Sequence, residues 1–202
     1  DARAIVITGA GRGFCSGGDV SGMQRTNQAE AEGKPIQTAT VEESILGFVK
    51  FQMSLGGVVH DFPKPTVALI NGAAAGGGMG FALSFDLRVI SDKGRFVSAF
   101  KNVGQSGDVA MAYGLERLVG RSRALEILFT SESIGAEQAL ALGLANRMVP
   151  HEELLTTGLE FCAQLAAGPT AVYARMKRNV THAETHNYLE VCEMESYHWK
   201  MS

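Results

Sequence analysis

Glycine is concentrated in two short segments of this chain, and each segment follows a run of apolar, β-branched residues. The segments are residues 9–22 and 72–80, and the runs before them are 4–8 (AIVIT) and 66–70 (TVALI). A continuous apolar run is typical of a strand buried on both faces. Glycine after such a strand lets the backbone approach a ligand closely. The pattern predicts an α/β fold with two loops suited to ligand binding.

Strands and helices alternate along the rest of the sequence. Apolar spacing and turn residues predict a helix over 41–60, a strand over 66–70, a loop over 71–76, a helix over 77–84, a strand over 87–91 and an extended segment over 95–100. Beyond residue 115 they predict helices over 122–129, 136–142, 152–167 and 170–182, with a short strand at 145–149. Residues 21–43 are polar and predict a mobile excursion. We therefore predict an α/β core over residues 1–115 and a helical C-terminal part over residues 116–202.

The composition argues against several classes of protein. Eighteen Lys and Arg residues against 21 Asp and Glu give a net charge of −3, which does not suit a protein held to nucleic acid by basic charge. The uncharged stretch 66–85 has the length of a membrane span, but Asn71 and three glycines at 76–78 would break a helix there. Three widely spaced cysteines indicate a reducing compartment, so we expect a cytoplasmic protein. No Cys and His spacing suggests a metal site, and we expect no metal.

A dinucleotide-binding enzyme is one interpretation of the first glycine segment. TGAGRG at 8–13 is similar to the TGxxxGxG loop of short-chain dehydrogenases, and residues 173–177 supply a YxxxK sequence. However, Cys15 stands where that loop has its third glycine, and Glu160 stands where the expected serine would be. Residues 15–19 are also a poor start for the helix that binds a pyrophosphate. These departures make this interpretation the weaker one.

Three ordered segments instead resemble the crotonase superfamily, the enoyl-CoA hydratases and isomerases. They are AIVITGAGRGFCSGGDV at 4–20, INGAAAGGGMGFALSFDLR at 70–88 and the stretch 95–150. The resemblance covers most of the chain, and family members carry further segments at both ends, so we expect a truncated chain. It implies a crotonase-type spiral of ββα units. It also implies that the helical C-terminal part is used for oligomerisation, in a homotrimer or homohexamer.

The resemblance implies an acyl-CoA substrate and a role in fatty acid metabolism. Two backbone N–H groups, those of Gly18 and Gly77, would stabilise a thioester enolate. Such preorganised donors suit an oxyanion, and glycine keeps side chains out of their way. Coenzyme A is then part of the substrate, and no separate cofactor is expected. The resemblance assigns coenzyme A binding to Arg12, Cys15, Ser16 and Gly17.

The family comparison also indicates which reaction to expect. Hydratases of this family use two glutamates, three and twenty-three residues after the oxyanion glycine, and Gly80 and Phe100 stand there. Asp108 matches the acidic residue of family isomerases and of 4-chlorobenzoyl-CoA dehalogenase, in which an aromatic residue also stands at the position of Phe100. A single carboxylate suffices for a proton shuttle. We therefore predict an isomerase in which Asp108 is the acid/base, and we place Phe100 in the substrate site.

Three alternatives stay open. Dehalogenase-like hydrolysis of an aryl-CoA would use Asp108 as a nucleophile and a histidine to activate water. That histidine position is Met53 here, with His60 two turns further along the helix. The second alternative is an enoyl-CoA hydratase, and the third is a catalytically silent CoA-binding homologue. For Asp108 itself, the structural alternative is an N-cap of a helix over 109–118.

Overall fold

Two sheets of mainly parallel strands form the centre of the computed structural model, which describes residues 2–18, 28, 31–33 and 39–202. The first sheet has the order β1 (Ile5–Thr8), β3 (Thr66–Ile70), β5 (Leu87–Ser91), β8 (Arg147–Val149), and all its pairs are parallel. The second has the order β2 (Gly13–Cys15), β4 (Ala73–Ala75), β6 (Arg95–Val97), β7 (Ile134–Gly135), and only its last pair is antiparallel. The predicted α/β class is confirmed.

Helices pack against both sheets. They are α1 (Val41–Gln52), α2 (Val58–His60), α3 (Gly77–Leu83), α4 (Met111–Thr130), α5 (Ala136–Ala141), α6 (Leu154–Ala167), α7 (Thr170–Ala183) and α8 (Tyr188–Lys200). A π-helical turn, Met53–Gly57, joins α1 to α2, so the predicted helix over 41–60 is continuous. Short 3-10 turns form at Phe100–Val103 and His151–Glu153.

The strands β2 and β4 lie where the sequence predicts loops. Each has only three residues, and both consist mainly of small side chains, so no apolar run marks them. They pair in parallel, with Gly13 opposite Ala73 and Cys15 opposite Ala74. This pairing brings the two glycine segments side by side.

The predicted boundary at residue 115 falls inside α4, which runs from Met111 to Thr130. Two strands from beyond that boundary, β7 and β8, complete the two sheets. The division into a core and a helical C-terminal part therefore stays a prediction.

The uncharged stretch 66–85 forms β3, β4 and α3, which lie in the core. Val67 to Ile70 have no exposed surface, and Met79 and Ala82 are also fully buried. No helix in the described part of the chain has the length and apolar character needed to cross a membrane.

Asn71, directly after β3, fixes the path of the first glycine segment. Its side-chain amide donates to the carbonyl oxygens of Gly11, at 3.0 Å, and Gly13, at 3.3 Å. Its side-chain oxygen accepts from the N–H of Gly9 at 3.1 Å. Asn71 is buried, and a buried amide with all its partners holds its neighbours in place. The end of β3 thus sets the position of the chain that leads to Gly18.

Candidate active site

Helix α3 begins in direct contact with the backbone of the first glycine segment. A Cβ atom at Gly78 would lie 2.2 Å from the Cys15 carbonyl oxygen, and one at Gly17 would lie 3.0 Å from the Gly77 nitrogen. Gly17 also has a φ of 85°, which side chains disfavour. Only glycine allows this approach. Residues of the two glycine segments, far apart in sequence, therefore meet at one place.

The N–H of Gly77 lies at this meeting point, in the first turn of α3, where N–H groups lack partners within the helix. The N–H of Gly76 donates to Val97, and the N–H groups of Met79 and Gly80 donate to Gly76. Within the described ranges, no acceptor is found for the N–H of Gly77 or for that of Gly18. Both remain available to a ligand oxygen.

The Asp108 carboxyl lies beside Gly77. Its oxygens are 2.8 and 3.0 Å from the position that a Cβ atom of Gly77 would take. Oδ1 is buried and has no hydrogen-bond partner in the part of the chain that the structure describes. Burial raises the pKa of this carboxyl above the ordinary aspartate value. A carboxyl group with one unpartnered oxygen thus lies beside a glycine whose N–H also lacks an acceptor among the described residues.

The interpretation of Asp108 as an N-cap is wrong. Helix α4 begins at Met111 after Ala110, and no side chain caps it. Val109 and Ala110 have φ values of 45° and 50°, which is left-handed backbone and not the first turn of a helix. The chain therefore turns sharply between Asp108 and the helix, and the carboxyl faces Gly77.

The other predicted site residues lie around this centre with different exposures. The Phe100 ring lies 3.9 Å from the position of a Gly76 Cβ and is half-buried. Cys15 is half-buried, whereas Ser16 and Arg12 are exposed. Among the described residues no side chain pairs with the Arg12 guanidinium, and its role stays a prediction. Of the polar excursion 21–43, residues 21–27, 29–30 and 34–38 lie outside the described residues.

The first of the two hydratase glutamate positions is closed in this structure, and Phe100 occupies the second. A Cβ atom at Gly80 would lie 2.9 Å from the carbonyl oxygens of both Asp108 and Val109. The backbone of the Asp108 turn therefore occupies the space that a side chain at residue 80 would need. At the second position, the Phe100 ring packs towards Gly76. The sequence shows that the glutamates are absent, and the structure shows what replaces the first of them.

A cavity of about 980 Å³, which the sequence did not predict, begins at Gly80 and Val109 next to the Asp108 turn. It extends between the α1–α2 segment and α7, and apolar side chains such as Val49, Met53, Leu83, Met176 and Val180 line much of it. Two ion pairs connect α7 and the residue that follows it to the core beside this cavity. Lys177 pairs with Asp86 at 2.7 Å, and Glu184 pairs with Arg117 at 3.3 Å.

Met53 and His60, considered for a hydrolytic reaction, both line this cavity. His60 has its Nδ1 atom 2.9 Å from an Asp61 carboxyl oxygen, and its ring stands edge-on to Tyr113 at 5.6 Å. In the described structure, no hydrogen bond or ion pair joins His60 to Asp108. The histidine considered for a hydrolytic mechanism is therefore engaged elsewhere than at the carboxyl.

We expect the stability of the protein to fall relative to that of Asp108→Asn as the pH rises from acid to neutral. The folded pKa of Asp108 lies above its unfolded value. The contribution of the Asp108 carboxyl to the free energy of unfolding is therefore fully present below its unfolded pKa. That contribution is lost as the pH rises through its folded pKa. The variant lacks this titration. Denaturant unfolding of both proteins across this range measures the difference, and a pH-independent difference would contradict the burial of the charge.

Parallel strands that carry paired glycine loops agree with the crotonase-type arrangement that the sequence resemblance implies. Residues 1–200 match the model of the enoyl-CoA hydratase/isomerase family, and the chain belongs to this family. The predicted crotonase-type fold is confirmed by an enoyl-CoA hydratase structure from Polaromonas sp., with a TM-score of 0.87 and 28% identity. That match covers 98% of this chain and 73% of the other.

Relatives with several named activities are similar to this chain. A probable enoyl-CoA hydratase of Rhodobacter capsulatus is 35% identical, over 88% of this chain and 64% of its own length. 4-Chlorobenzoyl coenzyme A dehalogenase-1 of Arthrobacter sp. is 31% identical, over 94% of this chain and 64% of its own. 1,2-Epoxyphenylacetyl-CoA isomerase of Escherichia coli is 31% identical, over 91% of this chain and 66% of its own length. The chain thus spans slightly less than two thirds of these relatives.

Proposed function

We propose that this protein isomerises enoyl-CoA thioesters with Asp108 as the single acid/base. The observation that carries the proposal is the Asp108 carboxyl beside Gly77, with Oδ1 buried and without a partner among the described residues. Burial keeps the pKa of this group raised, so it holds a proton more readily than an exposed aspartate does. A group that both removes and returns a proton works best with such a pKa.

The proton steps balance with this one group. For a β,γ-unsaturated thioester, the Asp108 carboxylate removes an α proton, and the electron pair of the broken C–H bond moves towards the thioester oxygen. The N–H groups of Gly18 and Gly77 donate to that oxygen and stabilise the dienolate. Protonated Asp108 then returns the proton to the γ carbon, and the double bond ends between the α and β carbons.

The substrate is proposed to be an acyl-CoA, with the residues Arg12, Cys15, Ser16 and Gly17 contacting its coenzyme A portion. The family match and the two adjoining glycine segments support this. Coenzyme A belongs to the substrate in this proposal, and no separate cofactor takes part. Phe100, half-buried beside Gly76, would contact the acyl portion.

Dehalogenase-like hydrolysis is the second candidate, because the unpartnered Asp108 oxygen also suits a nucleophile. In that reaction the carboxylate oxygen bonds to the ring carbon, halide leaves, and water then hydrolyses the aryl ester. The engagement of His60 with Asp61 and Tyr113 favours isomerisation over this reaction.

Mass spectrometry together with proton NMR of a panel of acyl-CoA thioesters incubated with the protein separates the candidates. Isomerisation predicts a product of unchanged mass with a shifted double bond. Hydration predicts the mass gain of one water molecule, and dehalogenation predicts released halide. A silent homologue predicts binding without any product. Products of hydration alone would overturn the proposal.

We expect Gly80→Glu to destabilise the protein without producing hydratase activity. The new side chain would overlap the carbonyl oxygens of Asp108 and Val109, and such overpacking costs about 1–3 kcal/mol. Gly47→Glu is the matched control, because Gly47 is also helical and nothing lies within 4 Å of its Cβ position. Thermal unfolding and a crotonyl-CoA hydration assay measure both effects. Brisk hydration by the Gly80 variant would show that a glutamate fits there after all.

Assembly as a homotrimer or homohexamer, with the part over residues 116–202 at the contacts between subunits, belongs to the same proposal. Within this part, apolar side chains are exposed on α8, including Tyr188 and Trp199. Exposed apolar patches of this kind are typical of protein contacts. Sedimentation velocity measures the assembly directly. A role in the cytoplasm and in fatty acid metabolism is proposed with it.

A further inference from the structure

Val109 fills a slot between two glycines on different elements. A Cβ atom at Gly56, in the π-helical turn, would lie 2.6 Å from Cγ1 of Val109 and 2.8 Å from Oγ of Ser84. A Cβ atom at Gly80, in α3, would lie 3.1 Å from Cβ of Val109. Only 2% of Val109 is exposed. The missing side chains of Gly56 and Gly80 are therefore what make room for Val109.

The backbone at Val109 is strained. Its φ of 45° lies in the left-handed region, as does the φ of 50° at Ala110. For a β-branched residue this conformation is an outlier, and it persists only where the surroundings impose it. In this structure, Val109 is surrounded by Gly56 and Gly80, and its packing against them can hold the backbone in this conformation.

The left-handed turn decides where Asp108 lies. Asp108 directly precedes it, and its carbonyl oxygen accepts the N–H of Met111 at 3.0 Å, which closes the turn. Its carboxyl oxygens then lie against Gly77. If residues 109 and 110 took ordinary helical angles, α4 would extend towards Asp108, and the carboxyl would have a different direction.

We infer that Val109 is a positioning residue, whose side chain, held between Gly56 and Gly80, keeps the left-handed turn that places the Asp108 carboxyl against Gly77. The inference rests on the proposed role of Asp108. It predicts that shortening the Val109 side chain, or filling its slot from the Gly56 side, releases the carboxyl into water. Catalysis then falls although no reacting group has changed.

Three variants test the positioning role of Val109 from both sides of its contact with Gly56. Val109→Ala shortens the side chain, and Gly56→Ala adds a methyl group 2.6 Å from the present position of Cγ1 of Val109. Val109→Ile keeps the branched side chain, and its extra methyl group can enter the cavity that Val109 lines. Gly47→Ala, with nothing within 4 Å of its Cβ position, is the control for adding a methyl group to the same helical segment.

Two measurements are made on each folded variant: steady-state kinetics with an enoyl-CoA substrate, and titration of the Asp108 carboxyl by carbon-13 NMR, assigned by its loss in Asp108→Asn. We expect Val109→Ala and Gly56→Ala to lower kcat at least tenfold with KM changed less than threefold. Their Asp108 titration should move towards that of an exposed aspartate. Val109→Ile and Gly47→Ala should keep both wild-type values.

The titration separates a failure of this inference from a failure of the proposed function. If the wild-type protein isomerises no thioester, the proposed function is wrong, while a lowered titration midpoint in Val109→Ala and Gly56→Ala still supports the positioning role. An unchanged midpoint in both variants overturns the inference, whatever the kinetics show. If Val109→Ala does not fold, Gly56→Ala decides between these outcomes.

Discussion

Asp108→Asn is expected to lower the rate of enoyl-CoA isomerisation by at least about 10²-fold, because one general acid/base contributes typically 10² to 10⁴-fold. The amide has nearly the shape of the carboxyl but cannot accept and return a proton. Binding of the thioester should change little, since the proposed contacts with coenzyme A and with the thioester oxygen come largely from the glycine segments. Initial rates and calorimetric titration measure the two effects.

The same variant should be more stable than the wild-type protein at neutral pH. It removes a carboxyl group whose raised pKa shows that the fold opposes its ionisation. Asp92→Asn is the matched control, because Asp92 is exposed. Its side-chain oxygen accepts a hydrogen bond from the backbone N–H of His151, and the side-chain oxygen of asparagine can accept the same bond. A variant at Asp108 that keeps wild-type activity would exclude this residue as the acid/base.

Gly77→Pro is expected to lower turnover more than Gly77→Ala does. Both variants place a Cβ atom where it would lie 2.8 Å from Oδ1 of Asp108, so both disturb the carboxyl. Only proline also removes the N–H, while its fixed φ is tolerated in the first turn of a helix. Loss of one oxyanion donor costs about 10² to 10³-fold in kcat. The ratio of the two variants' kcat values should therefore lie in this range.

The comparison holds only for folded variants, so circular dichroism and thermal unfolding of both accompany the kinetics. Equal kcat values for Gly77→Pro and Gly77→Ala would show that the N–H of Gly77 does not contribute to catalysis. The proposed oxyanion donors would then reduce to Gly18.

The parts of the fold that could be predicted from the sequence are those with a strong local signal. The strand Thr66–Ile70 is a continuous apolar run, and the structure places it in the centre of the first sheet. That residues near Gly17 meet Gly77 is expected from the family resemblance, and the structure shows that only glycine permits so close an approach. Asp108 is identified through a family resemblance, since its position in the sequence alone also allows an N-cap.

The parts that could not be predicted depend on contacts between distant residues. The strands β2 and β4 are too short and too rich in small residues to show a periodic pattern. The left-handed turn is formed by Val109 and Ala110, neither of which is a glycine that would predict a positive φ. We attribute this turn to the packing of Val109 against Gly56 and Gly80, which are distant in sequence. The sequence shows that a glutamate is missing at residue 80, but not that the turn at Asp108 fills its place.

Whether the shielded Asp108 carboxyl itself moves the proton is shown by the fate of an isotopic label. A β,γ-enoyl-CoA carrying deuterium at the α carbon is converted in ordinary water, and the product is analysed at low conversion by mass spectrometry and NMR. Because Oδ1 of Asp108 is buried, the deuteron it removes should be partly returned before it exchanges with water. We expect deuterium at the γ carbon of the product. Product formed with no deuterium at that carbon, even at the earliest conversions, would contradict it.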